Sequence, residues 1–286
     1  MKKLTSVSTI RYIMEKYGFN FSKSLGQNFL TSDHVVNEIV SGSELSEGDY
    51  VLEVGPGIGV MTYEMAKIAK KVLAVEIDSS LIPVLNETLE EYDNIEIINQ
   101  DVLKVDIQSE IKQRLDGSRP KVVANLPYYV TTPIIMKFLE EDIKVSDIIV
   151  MIQKEVADRI NAEPGNKTYG ALSVAVQFFS EPSIIAKVPK TVFMPQPKVD
   201  STVIRLKVLD EPRVKVEDRK YFFKVVRAAF GKRRKTLLNA LSSGLGMEKS
   251  IIEQVLLDTG IDPKRRGETL SIEEFGELSN NLWKVK

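Results

Sequence analysis

The chain has no cysteine and a single histidine, His34, among its 286 residues. These absences exclude thiolate nucleophiles, disulfides and cysteine-bearing zinc sites, and they leave little for a multi-histidine metal cage or a histidine-dependent triad. No metal site is expected. Long apolar runs are missing as well. Residues 1 to 21 mix Lys, Arg and Glu among apolar side chains instead of forming a signal-peptide core, and no later stretch approaches a membrane span. A cytoplasmic protein without a membrane partner, monomeric by default, is the expectation. His34 follows Asp33 where a helix start is read, and it is given no chemical role.

Net charge is only −1, but its distribution is uneven. Residues 1 to 182 carry 18 basic and 27 acidic side chains, a balance of −9, whereas residues 183 to 286 carry 21 and 13, a balance of +8. The C-terminal part is therefore the candidate phosphate-binding surface. The 43% hydrophobic content is enough for one large packed domain and a smaller companion.

Between Tyr50 and Met151, short Val/Ile-rich runs alternate with amphipathic segments of helical length. The runs are 50–54, 72–76, 95–99, 121–124 and 148–151. This alternation predicts a parallel sheet covered on both faces, with ligands beyond the C-terminal strand ends. Pro182, Pro189, Pro195 and Pro197 punctuate an expected irregular segment, followed by a half-buried strand at 201–207 near the sheet edge. From Arg219 onward the pattern is helical. The expected division is a catalytic α/β domain over 1–208 and an all-α domain over 209–286.

Glu53-Val-Gly55-Pro-Gly57-Ile-Gly59 follows the first of these strands, where glycines permit a tight turn and close approach of backbone to ligand. Its G-x-G-x-G spacing departs from the G-x-G-x-x-G of dinucleotide sites, which disfavours a nicotinamide dehydrogenase. Glu76 ends the next strand, where a carboxylate can accept from ribose hydroxyls, and Asp101 follows the third, within reach of an adenine amine. Taken singly, each is also explained as a structural turn or a helix cap; together they favour an adenosyl ligand.

The fourth strand runs into Asn125-Leu126-Pro127-Tyr128-Tyr129. It offers an amide oxygen, a carbonyl at Pro127 and an aromatic face at Tyr128, which suit an amine whose lone pair is delocalised into a ring, such as adenine N6. Accepting its N–H bonds favours a pyramidal, nucleophilic nitrogen. Tyr128 is placed to stack on an unstacked base. In-line positioning beside a sulfonium methyl needs no prior general base, which accounts for the missing His and Cys. A plain strand-ending turn is the structural alternative. Further along, residues 218 to 235 carry eight basic side chains against one acid. Lys220, Lys224 and Arg227 fall at helical spacing, opposite a face with Phe222, Phe223, Val226 and Phe230, and Lys232-Arg233-Arg234-Lys235 follow. Backbone phosphates are the expected partner, an ordinary solvated helix the alternative.

These segments resemble the ribosomal RNA adenine dimethyltransferases, most closely their bacterial small-subunit branch. The likeness runs through five ordered motifs: 23–30, Glu53 to Gly59, Asn125 to Tyr128, Phe193 to Ser201 and Phe230 to Leu241. The resemblance implies a class I, Rossmann-like S-adenosylmethionine-dependent methyltransferase with a mostly parallel seven-stranded sheet and a small helical RNA-binding domain. It implies S-adenosyl-L-methionine contacts at Asn28, Leu30, Gly55, Gly57, Glu76, Asp101 and Asn125, with Gln27 near the methionine end. It also implies a catalytic loop of Asn125, Leu126, Pro127 and Tyr128, with Phe193 facing the target base. The implied reaction is N6-dimethylation of two adjacent adenosines near the 3′ end of 16S rRNA in the small subunit, with a part in subunit biogenesis. Two rivals remain: a large-subunit adenine dimethyltransferase of the macrolide-resistance type, and an assembly or transcription factor that keeps the scaffold for binding.

Overall fold

The computed structural model describes residues 3–22, 25–232 and 234–286. Nine strands are present among them: β1 (Phe29–Leu30), β2 (Tyr50–Val54), β3 (Lys71–Glu76), β4 (Ile95–Asn99), β5 (Lys121–Asn125), β6 (Asp147–Gln153), β7 (Ser180–Val188), β8 (Phe193–Met194) and β9 (Ser201–Val208). Seven of them form one sheet in the order β4-β3-β2-β5-β6-β9-β7. The pairs β2–β3, β2–β5, β3–β4 and β5–β6 are parallel, and β9 runs antiparallel to β6 with Ser201 opposite Gln153. The parallel centre is what the alternation predicts, and the mostly parallel, Rossmann-like sheet of seven strands is what the resemblance implies.

Burial explains why the central runs read so clearly. All but the first residue of β2 and of β3 are buried, as are Asp147 to Ile152 of β6. Strands covered on both faces are uniformly apolar rather than alternating. β7 was expected as irregular chain, and the structure corrects this. Its polar, Pro182-bearing sequence SEPSIIAKV carries no strand signal, yet it closes the end of the sheet, where a missing N–H is tolerated.

The chain divides into two compact units, residues 1–157 with 183–208, and residues 158–182 with 209–286. The segment 158–182, assigned above to the catalytic domain, thus groups with the C-terminal helices. The reason is its helix Ala171–Phe179, which is apolar nearly all round. Phe178 stacks on Phe222 at 4.7 Å and meets Phe223 edge-on at 5.3 Å, both on helix Arg219–Phe230. Within this second unit Gly244 lets helix Leu237–Leu245 approach closely; a Cβ there would stand 2.5 Å from that of Ala228.

Candidate active site

At the C-terminal ends of β2, β3 and β5, a cleft open to solvent lies between the chain 25–30, the glycine turn 55–58 and the loop 125–128. Ten of the residues singled out from sequence line it: Gln27, Asn28, Leu30, Gly55, Gly57, Glu76, Asn125, Leu126, Pro127 and Tyr128.

The turn after β2 takes positive φ at Gly55 (71°), Gly57 (62°) and Gly59 (88°), conformations that side chains rarely adopt. At Gly55 a Cβ would meet nothing within 4 Å, so the bare backbone faces open space in the cleft; at Gly57 it would press on the Phe29 ring at 3.1 Å. Gly57 N–H donates to Glu76 Oε2 at 3.2 Å, and Asp78 N–H to Glu76 Oε1 at 2.8 Å. Glu76 is only 4% exposed, and burial pushes its carboxyl above the ordinary range against those two bonds.

Gln27 is committed at both ends. Its Oε1 accepts from Ser22 N–H at 2.8 Å and its Nε2 donates to Asp78 Oδ2 at 2.6 Å. It fastens Ser22 and the chain 25–28 to the end of β3. Asp78, which makes that fastening possible, was not singled out from sequence; an acid two places after Glu76 was the available signal.

In the catalytic loop, Asn125 Nδ2 donates to the Asn28 carbonyl at 3.1 Å, and Asn28 Nδ2 to the Gly26 carbonyl at 2.9 Å. With its amide nitrogen tied, Asn125 keeps Oδ1 as acceptor. The Pro127 carbonyl, expected to accept from the substrate amine, is otherwise engaged: Val130 N–H donates to it at 3.2 Å and Thr131 Oγ1 at 3.1 Å. Both its lone pairs serve the turn that starts helix Thr131–Glu140. The Leu126 carbonyl accepts no bond among the described residues. The Tyr128 hydroxyl and Ser201 Oγ share a bond at 2.7 Å, which fixes the half-buried ring. Ser201 closes a motif recognised in the sequence but was given no role.

Two expectations fall outside the cleft. Asp101 does not line it; its Oδ1 accepts from Leu103 N–H at 3.0 Å, so it caps its own turn. Phe193 is 5% exposed, paired with Leu30 across the two-stranded sheet of β1 and β8, and sits in the core.

In the second unit, Lys220, Lys224 and Arg227 are exposed along a helix whose other positions are nearly all buried, and they have no carboxylate partner among the described residues. Lys232 donates to Ser243 Oγ at 2.9 Å, while Arg234 and Lys235 are exposed. Arg233 lies outside the described residues. Among the described residues no helix is long and apolar enough to cross a membrane, and no group of acidic or histidine side chains could hold a metal ion.

Comparison with known proteins bears on this geometry. A family model described as ribosomal RNA adenine dimethylase matches residues 18–282. A ribosomal RNA small subunit methyltransferase A from Alkaliphilus oremlandii is 59% identical over 285 residues, 99% of each chain. Among solved structures, a dimethyladenosine transferase from Plasmodium falciparum superposes with a TM-score of 0.71 at 24% identity, covering 87% of this chain and 95% of that one. The 23S rRNA methyltransferase ErmE superposes with a TM-score of 0.69 at 26% identity, covering 89% and 99%.

Proposed function

Because this chain belongs to the ribosomal RNA adenine dimethylase family, we infer that it uses S-adenosyl-L-methionine to dimethylate N6 of two adjacent adenosines near the 3′ end of 16S rRNA. The observation that carries the reading is the tether from Asn125 Nδ2 to the Asn28 carbonyl, which leaves Asn125 Oδ1 and the Leu126 carbonyl as free acceptors beside the glycine turn.

The cleft fits the cofactor. The open space over Gly55 admits a ligand against bare backbone, Glu76 holds a buried carboxylate at a strand end for ribose hydroxyls, and Asn28, Leu30 and Gly57 complete the wall. When bound, S-adenosylmethionine supplies an electrophilic sulfonium methyl group. The protein's own residues then act on the acceptor. Asn125 Oδ1 and the Leu126 carbonyl accept the two N6–H bonds, localise the nitrogen lone pair and aim it along the transfer line. Tyr128, anchored by Ser201, stacks on the extruded base. The N6 proton passes to solvent in the open cleft after attack, when the nitrogen is cationic and acidic, so no basic side chain is needed beforehand. After the first transfer one N–H remains, and the second methylation proceeds with one acceptor engaged.

The exposed cations Lys220, Lys224, Arg227, Lys232, Arg234 and Lys235, together with Arg233 by its place in the sequence, contact RNA phosphates. The enzyme works in the cytoplasm as a monomer on the small subunit or its precursor. The large-subunit alternative is disfavoured, because 59% identity to a small-subunit enzyme stands against 26% to ErmE.

The test is transfer of label from S-adenosylmethionine to small subunits lacking these methyl groups, comparing wild type with Asn125→Ala. Dimethyladenosine in 16S rRNA with wild type, formed roughly a hundred- to a thousandfold more slowly with the variant, is expected. Cofactor binding without transfer by wild type would move the assignment to a scaffold that binds without catalysing.

A further inference from the structure

We propose that Tyr129 is a stacking platform for the nucleobase flanking the target adenosine, so that two neighbouring bases are held on two consecutive tyrosines. The inference rests on the RNA-methylating reading above and names a substrate contact which that reading leaves out.

Tyr129 immediately follows the catalytic loop and is 61% exposed, the largest value among the exposed large apolar side chains of the described residues. A scattered surface aromatic needs no explanation. What distinguishes this one is its mounting. The turn that carries it is fixed by the two bonds from Val130 N–H and Thr131 Oγ1 to the Pro127 carbonyl. Its ring is backed by Gly26, where a Cβ would stand 3.4 Å from both Cδ1 and Cε1 of Tyr129 and 3.3 Å from Cβ of Pro127. Gly26 also has φ of 62°, so both space and backbone conformation favour glycine, and the main chain lies against the ring with no side chain between. Gly26 and Pro127 line the cleft while Tyr129 does not. The ring therefore sits on the lip, supported by backbone and open to solvent.

Tyr128 is already assigned to the target base, and its half-buried ring lies in the cleft wall, so the neighbouring base needs a second surface. Extruding one adenosine from a stack exposes the face of its neighbour. An aromatic surface at the lip restores that lost stacking, and it does so for any base because each has a π-face. Tyr129 does not touch the reacting atoms. It is a positioning residue that contributes to RNA affinity and to the register of the adjacent adenosines.

Methyl transfer is measured on small subunits lacking these methyl groups, with the adenosine beside the target either retained or replaced by an abasic nucleotide. Tyr129→Ala is expected to raise KM for the intact particle about tenfold, with kcat changed by less than about twofold, as loss of one base–aromatic stack requires. Tyr129→Phe restores the wild-type value, and the cofactor dissociation constant is unchanged in both variants. The abasic particle should be a poorer substrate for wild type by a similar factor, yet no poorer than the intact particle for Tyr129→Ala. An unchanged KM in Tyr129→Ala, or penalties from the two changes that simply multiply, would overturn the proposal. A fall in kcat at constant KM would also overturn it by placing Tyr129 in the chemical step. If wild type binds cofactor and methylates no RNA, the parent reading fails instead, and that result is visible before any variant is compared.

Discussion

Asn125, Gln27 and Glu76 have polar atoms committed within the protein, to the Asn28 carbonyl, to Ser22 and Asp78, and to the Gly57 and Asp78 amides. Lys220, Lys224 and Arg227 stand exposed on their helix with no carboxylate partner among the described residues. The first region fixes a few acceptors in place, and what it offers a ligand is geometry. The second offers a field of charge whose exact placement matters little. Chemistry that depends on direction belongs to the first and affinity for a polyanion to the second. Changes in the two should therefore separate into rate and binding.

The largest separation is expected at Asn125. Asn125→Ala removes the acceptor proposed above to meet the reacting amine, and loss of one such preorganised contact costs roughly a hundred- to a thousandfold in kcat. Affinity for the small subunit, measured by filter binding, should stay at the wild-type value. If RNA affinity falls while kcat is retained, the division of labour between the two regions is broken.

How much of this was legible in sequence follows the same division. The parallel strands were readable because burial on both faces makes them uniformly apolar, and Gly55, Gly57, Glu76 and Asn125 were readable because they sit at strand ends, whereas Gln27, Asn28 and Leu30 came only from the family likeness. β7 was not, since an edge strand tolerates Pro182 and polar residues. Nor was the grouping of 158–182 with the C-terminal helices, because Phe178 meets Phe222 through a contact that spans more than forty residues of chain. Within the loop, sequence supplied the residue types but not which oxygen is free. Pro127 looked like an acceptor until Val130 and Thr131 were seen to occupy its carbonyl. Phe193, which residue type alone reads as core, is buried beside Leu30; only the family likeness placed it facing the base.

A smaller effect sharpens the other half of the comparison. Charge reversal of Lys224 and Arg227 to Glu should weaken small-subunit binding about ten- to a hundredfold near physiological salt and lower the slope of log affinity against log salt by about 2. The kcat at saturating substrate should be unchanged. Unaltered affinity and slope would return this helix to an ordinary solvated surface.

The smallest effect concerns a carboxyl behind the glycine turn. Glu53 on β2 is fully buried; its Oε2 accepts from Thr62 Oγ1 at 2.6 Å, and its Oε1 has no partner among the described residues. Burial pushes its pKa from 4.5 up to about 8, with the Thr62 bond opposing the rise and the nearby Glu76 charge adding to it. Between those two values the folded chain holds a proton that the unfolded chain has released. Stability is therefore greatest below the unfolded value, declines as pH rises through the window, and levels off above the folded value. The decline is on the order of 1 kcal/mol per pH unit. Urea unfolding from about pH 6 to about pH 7.5 should show this slope in wild type and a slope flatter by that amount in Glu53→Gln, which keeps the shape and cannot ionise. An identical slope in the variant would mean that Glu53 is ionised in the folded protein, with its charge met by a group that the static arrangement does not show.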